Sequence, residues 1–129
     1  MKIGELSKKS GCSIQTIRFY EREKLIRPCQ RTDSNYRLYD ASSLSRLRFI
    51  RQCRSLDLTL AEITQLLETK ESPETSCTSI NNLINDHMEE VSQKIAELNE
   101  LKATLAQMVE ACSDNNKVKE CGVLHLLEE

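Results

Sequence analysis

The chain has 129 residues, 39% hydrophobic, 29% charged and 4% aromatic, with a net charge of −2. Three Gly and two Pro beside this apolar fraction exclude a collagen-like or wholly disordered chain, and the length holds one ordinary domain or a small domain carrying a long appended element. No run approaches the roughly eighteen apolar residues needed to span a bilayer, and the opening MKIGELSKKSG has no signal-peptide apolar stretch, so a cytoplasmic protein with no membrane partner is expected.

Charge is divided unevenly along the chain. Residues 1–54 hold 13 Lys+Arg against 5 Asp+Glu, a balance of +8, and residues 55–129 hold 5 against 15, a balance of −10. A basic half on an acidic protein points to a polyanion-binding module joined to a part with another task.

In chain order, residues 3–10 are expected to form a short helix pinned by Ile3 and Leu6 and closed by Gly11. Ser13 then caps a second helix, residues 14–23, with Ile14 and Ile17 turned inward. Two helices joined by a tight Gly-containing turn have helix-turn-helix spacing. Leu25-Ile26-Arg27-Pro28 and Tyr36-Arg37-Leu38-Tyr39 bracket the turn-prone residues 31–35, which predicts a small β-hairpin, or wing. Asp40 or Ser42 starts a third helix with the stripe Leu44, Leu47, Ile50 and Cys53. Thr59 and Glu62 have capping-box spacing for a fourth, whose apolar side is Leu60, Ile63, Leu66 and Leu67.

After a linker at residues 71–77 comes a stretch, residues 78–112, with neither Gly nor Pro. Ile84, Val91, Leu98, Leu105 and Cys112 recur every seven residues, and a second row runs through Ile80, Met88, Ile95, Leu101 and Met108 with a phase shift after Ile95. A narrow seam on so long a helix cannot bury itself, so a coiled-coil dimerisation helix is expected. Polar residues 113–120 read as a loop, and residues 121–127 as a terminal helix or turn.

Thr16, Arg18, Phe19, Tyr20 and Arg22 on the second helix, with Tyr36, Arg37 and Tyr39 in the wing, form the candidate DNA-binding set. Arg offers several donors to phosphate or guanine, and Tyr reaches phosphate from a rigid ring. One of the adjacent Phe19 and Tyr20 can equally face the core. Arg46, Arg48, Arg51 and Arg54 either touch the DNA backbone or form a solvated face. Nothing resembles a phosphate loop or a nucleophile–base set, so an enzyme is not expected.

Six cysteines without an export signal argue for metal or redox chemistry rather than disulfides. Cys53 lies on an apolar stripe and reads as a buried thiol; Cys12 and Cys29 have no partner at ligand spacing and stay unassigned. Cys77, Cys112 and Cys121 sit at the joints of the long helix. At about 1.5 Å per residue Cys77 and Cys112 lie roughly 52 Å apart, too far to share an ion within one chain. In an antiparallel homodimer, however, Cys77 of one subunit lies beside Cys112 and Cys121 of the other. Three thiolates suit Cd(II), Pb(II) or Hg(II) better than tetrahedral Zn(II), with His125 a further candidate donor. His87 is expected to pack.

Ile3-Gly4-Glu5-Leu6, TIRFYERE (residues 16–23), NYRLY (residues 35–39) and RFIRQCRSLDLTLAEI (residues 48–63) strongly resemble MerR-family transcriptional regulators, over the whole chain. The cysteine spacing with its Cys-Gly-Val-Leu tail resembles the cadmium/lead-responsive branch. Mercury sensors use a similar spacing, and zinc sensors usually add a cysteine where this chain has Ser113. The family's common Tyr-Tyr pair is Phe19-Tyr20 here. The resemblance implies a homodimer on a near-palindromic operator within a promoter whose two polymerase-recognition elements lie too far apart. Such a dimer represses without effector. With Cd(II) or Pb(II) it untwists the DNA so that RNA polymerase reads both elements, Arg18, Tyr20, Tyr36 and Arg37 holding the duplex. Hg(II) or Zn(II) sensing, or a thiol-redox switch at Cys112 and Cys121, are the alternatives.

The expected architecture is therefore mainly α. A winged helix-turn-helix DNA-binding domain with two connector helices (1–70) is followed by a linker (71–77), a long antiparallel coiled-coil dimerisation helix (78–112), and a metal-binding loop and tail (113–129).

Overall fold

Among the described residues the chain forms six α-helices, a two-stranded ribbon and one 3-10 turn. The computed structural model describes every residue except Cys29, Asn35, Ser113, Asp114 and Asn116. The expectations that touch the Cys29 thiol, Asn35 of the wing turn and Ser113 beside Cys112 lie outside the described residues. The chain divides into two units, Met1–Ile80 and Asn81–Glu129. No described helix is long and apolar enough to cross a membrane.

In the first unit α1 (Ile3–Ser10) ends at Gly11, whose φ of 74° is the left-handed conformation that closes a helix at least cost in glycine. Ser13 caps α2 (Ile14–Arg22) by accepting from the Thr16 N–H, and Asp40 caps α3 (Ala41–Ser55) by accepting from the Ser43 N–H. Thr59 and Glu62 form both bonds of a capping box at the start of α4 (Leu60–Lys70).

Two helix ends carry information that the periodicity did not. Lys24 and Asp57 both adopt φ of 63°, and the N–H groups of Leu25 and Leu58 reach back to the carbonyls of Tyr20 (2.9 Å) and Cys53 (3.2 Å). This is the six-residue Schellman closure, and it turns Leu25 and Leu58 into the core beside Leu6, Ile17, Leu47, Ile50 and Ile63.

That closure corrects the expected wing. Leu25 and Ile26 are core residues rather than strand, and Pro28 has no N–H for a ladder. The strands are β1 (Gln30–Arg31) and β2 (Arg37–Leu38), antiparallel, with Gln30 opposite Leu38 and Arg31 opposite Arg37. Two further inward assignments change. Ile14, in the first turn of α2, is 37% exposed, and on α3 Ser43 takes the buried place with Leu44 only half-buried.

α5 (Thr78–Ala111) is one unbroken helix of 34 residues, about 51 Å long. Ile84, Met88, Val91, Ile95, Leu98, Leu101, Leu105 and Val109 are all at least 36% exposed on the single chain. Their steps of three and four residues keep them on one stripe, and consecutive threes at Ile95, Leu98 and Leu101 are the phase shift seen in the sequence. His87 is buried, as expected for packing. Within the stretch expected as a loop, Val118–Glu120 form a 3-10 turn, and the expected terminal helix is α6 (Gly122–Leu127).

Candidate functional site

α2 and the wing together present a basic surface. Arg18, Phe19 and Arg22 are exposed on α2, Tyr36 is 60% exposed, and Arg37 is half-buried on β2. Thr16 is half-buried, its hydroxyl 2.8 Å from the Ser13 hydroxyl at the start of the helix. A groove of about 560 Å³ runs between α2 and the wing, lined by Arg18, Arg22, Arg27, Arg31 and Arg37 with Glu21. A second, of about 590 Å³, shares Arg18 and Arg37 and continues past Tyr36 to Lys2 and Gly4 at the start of α1. The Lys2 ammonium sits 4.8 Å above the Tyr36 ring. Lys2, Arg27 and Arg31 were missed by motif reading; their only signal in the sequence is the local excess of positive charge.

Two expected DNA-facing tyrosines are elsewhere. Tyr20 is 7% exposed and Tyr39 only 1%, so both rings belong to the core. On a helix, adjacent residues point about 100° apart; here Ile17 and Tyr20 take the inward face and Phe19 the outward one, with the Arg22 guanidinium 6.0 Å from the Phe19 ring centre. The Tyr39 hydroxyl donates to Glu21 Oε1 at 2.5 Å. Burial first, and then this carboxylate, push the phenol far above its ordinary pKa.

The arginine row on α3 is engaged within the first unit. Arg46 Nε donates to the Leu25 carbonyl, Arg48 to Lys9 O (3.4 Å), Arg51 to Ser10 O (3.2 Å) and Arg54 to Leu58 O (2.7 Å). The Lys9 and Ser10 carbonyls belong to the last turn of α1, which leaves acceptors unpaired and whose dipole favours cations, while Leu25 and Leu58 follow the left-handed turns that close α2 and α3. Gly11 is part of this device, because a Cβ there would fall 2.2 Å from Arg51 Nη1.

In the second unit, Cys112 and Cys121 bring their sulfurs to 3.9 Å. Two thiolates bound to one Zn(II) at about 2.3 Å and near-tetrahedral angles stand about 3.8 Å apart, and larger soft ions reach the same span at a narrower angle, so the pair fits a thiophilic metal. Gly122 makes the approach possible: a Cβ at that position would fall 2.1 Å from the Ala111 carbonyl oxygen at the end of α5. Cys121 precedes the first turn of α6. The Leu124 N–H is the main influence on its thiol; partial desolvation opposes it, and the Val123 N–H and Cys112 add to it, the net being a pKa below the ordinary thiol value.

His125 Nε2 lies 3.1 Å from the Lys119 carbonyl, which can only accept, so this nitrogen carries a proton. Among the described residues no third His, Cys, Asp or Glu donor lies within 4.8 Å of both sulfurs, so His125 does not join the pair here. Cys77 is exposed immediately before α5; Cys12 and Cys53 are buried, and burial raises the Cys53 thiol.

The basic helix-and-wing surface followed by a long helix defines a winged helix-turn-helix DNA-binding protein. Residues 1–70 match the family described as MerR HTH family regulatory protein, and residues 44–108 the one described as MerR, DNA binding. The chain belongs to the MerR family of transcriptional regulators and is not an enzyme. Among curated proteins it is 40% identical to the HTH-type transcriptional regulator ZntR homolog of Haemophilus influenzae, over 91% of this chain and 87% of that one. Among solved structures, the transcription regulator PbrR691 from Ralstonia metallidurans CH34 in complex with lead(II) matches at 45% identity. Its TM-score is 0.88, over 98% of both chains. The MerR regulator of Bacillus megaterium MB1 in complex with mercury(II) matches at 31% identity and a TM-score of 0.71 over the full length of both.

Proposed function

We propose that this chain is a homodimeric, metal-responsive regulator of a promoter, repressing without its effector and activating when Cd(II) or Pb(II) is bound. The observation that carries the reading is the thiol pair. Cys112 and Cys121 converge at 3.9 Å through a contact that only glycine at position 122 permits, and the chain resembles a lead(II)-bound regulator along nearly its whole length. Cys112 and Cys121 supply two thiolates and Cys77 of the partner subunit the third. The exposed stripe from Ile84 to Val109 is the dimer seam, and an antiparallel pairing brings the start of one α5 to the end of the other.

Arg18, Arg22, Tyr36 and Arg37 hold phosphates and base edges of duplex DNA, with Lys2, Arg27 and Arg31 extending the basic surface. By joining opposite ends of two α5 helices, the three cysteines bias the relative placement of the two DNA-binding units. DNA held at two half-sites reads that placement as twist and bend, which is what RNA polymerase senses at a promoter with misplaced elements. Soft thiolates favour Cd(II), Pb(II) and Hg(II) over Zn(II), and the absence of a cysteine at position 113 leaves the set at three.

The test is an anaerobic titration of the reduced protein with Cd(II), Pb(II), Hg(II) and Zn(II) against a competing thiol, followed by the thiolate-to-metal charge-transfer band. Tight Cd(II) or Pb(II) binding that is lost in each of Cys77→Ser, Cys112→Ser and Cys121→Ser supports the reading. Selective Hg(II) binding moves the protein to the mercury class. Weak binding of every ion, with operator transcription switched by peroxide, replaces it with a redox sensor at the same two sulfurs.

A further inference from the structure

Glu21 is out of place in a groove that attracts polyanions. Five arginines line the same groove, its side chain is 10% exposed, and repulsion from DNA makes a carboxylate there unfavourable unless it has another task. Both of its oxygens are committed. Oε1 accepts from the Tyr39 hydroxyl at 2.5 Å, and Oε2 pairs with Arg37 Nη1 at 3.0 Å.

The two partners are not equivalent. Tyr39 is fully buried one residue before the Asp40 cap of α3, so it is a fixed point of the core. Arg37 stands two residues earlier, on β2, 39% exposed and facing both basic grooves. In an extended strand, residues two apart project to the same side. One carboxylate on the last turn of α2 therefore grips both the anchored end of the wing and its half-exposed guanidinium. The ribbon has only two residues in each strand and little stiffness of its own.

We propose that Glu21 is a positioning residue for DNA binding: it clamps the wing to the recognition helix and aims the Arg37 guanidinium at a backbone phosphate, without touching DNA itself. The inference rests on the reading of Arg37 as a DNA contact, and it predicts a sign opposite to simple electrostatics. Removing a negative charge from a DNA-binding groove ought to tighten binding; removing this one weakens it.

The experiment measures the affinity of the full-length protein for a fluorescein-labelled duplex selected by the wild type from a random-sequence pool, as a function of salt. The variants are Glu21→Gln, Glu21→Asp, Arg37→Gln and the Glu21→Gln/Arg37→Gln pair. Glu21→Gln keeps the length and loses the charge; Glu21→Asp keeps the charge but is one methylene too short to hold both partners. Both are expected to weaken binding about tenfold, the scale of one lost charged contact. Each lowers the salt-dependence slope by about 0.9 per wing, as Arg37→Gln does. The double variant binds within about twofold of Arg37→Gln, because an unaimed Arg37 has nothing left to lose.

A loss of folding shared by the variants is separated by thermal unfolding, and a merely structural defect does not lower the salt slope. Equal or tighter binding of Glu21→Gln, or wild-type behaviour of Glu21→Asp, overturns the positioning role while leaving Arg37 as a contact. Wild-type binding by Arg37→Gln removes the contact itself, and the proposal with it.

Discussion

Gly122→Ala is the sharpest single perturbation of the thiol pair. A Cβ at Gly122 would lie 2.1 Å from the Ala111 carbonyl oxygen, 3.0 Å from the Ala111 carbonyl carbon and 3.1 Å from the Ala111 Cβ. The obstacle is backbone at the end of a 34-residue helix, so it cannot swing aside as a side chain would. Restoring ordinary contact near 3.4 Å requires α6 to move off α5 by about 1.3 Å. Cys121 is the adjacent residue and moves with it, so the sulfur separation grows from 3.9 Å toward about 5 Å, which opens the thiolate–metal–thiolate angle far beyond its near-tetrahedral value. Displacements of this size at a ligand or its supports cost about 10- to 100-fold in metal affinity. The assay is competition of wild type and variant with a chelator for Cd(II) and Pb(II) under anaerobic conditions. DNA affinity of the metal-free protein serves as the folding control and is expected to be unchanged. If Gly122→Ala binds both ions within twofold of wild type, the argument that this close approach builds the site is wrong.

Gly11→Ala is expected to cost the DNA-binding unit about 1–2 kcal/mol in urea unfolding, because it places a Cβ in the left-handed region and pushes Arg51 from the Ser10 carbonyl. The converse holds at Lys24, also left-handed at φ 63°. Lys24→Gly relieves that strain and raises stability by about 1 kcal/mol in the same measurement, with no change meaning that the neighbourhood has already relaxed it. Leu98→Glu places a carboxylate in the centre of the exposed α5 stripe, and sedimentation equilibrium is expected to show the dimer weakened at least 100-fold; an unchanged dimer locates the interface elsewhere. In the metal-free reduced protein, the Cys121 thiol ionises below the ordinary thiol range, so its thiolate persists as pH falls. Its alkylation by iodoacetamide, followed by peptide mass spectrometry, should reach half-maximal rate at a lower pH than an unstructured cysteine peptide; the reverse order contradicts the role of the Leu124 amide.

Much of this protein is determined by its sequence alone. The caps at Ser13, Asp40 and Thr59, the glycine stop at position 11 and the apolar stripe of the long helix are relations among residues a few positions apart, and each forms as expected. Charge partition and the motifs TIRFYERE and NYRLY located the basic surface, and the cysteines at the joints included the pair that converges. What the tertiary structure decided are choices between partners distant in the chain. Which of Phe19 and Tyr20 faces inward, and that Tyr39 is buried on Glu21, depends on what lies opposite α2. That Arg46 and Arg51 reach carbonyls 21 and 41 residues away depends on where α1 and α2 end in space. The first wing strand lies later in the chain than the sequence pattern predicts because a left-handed Lys24 delivers Leu25 and Ile26 to the core, a conformation a lysine does not advertise. Gly122 looked like one letter of a tail motif; it is the point where two helices touch, because only there does a missing Cβ let the backbones meet. Local patterns encode elements because their interactions close within one or two turns, whereas the site depends on which free donors, rings and sulfurs the packed elements bring face to face.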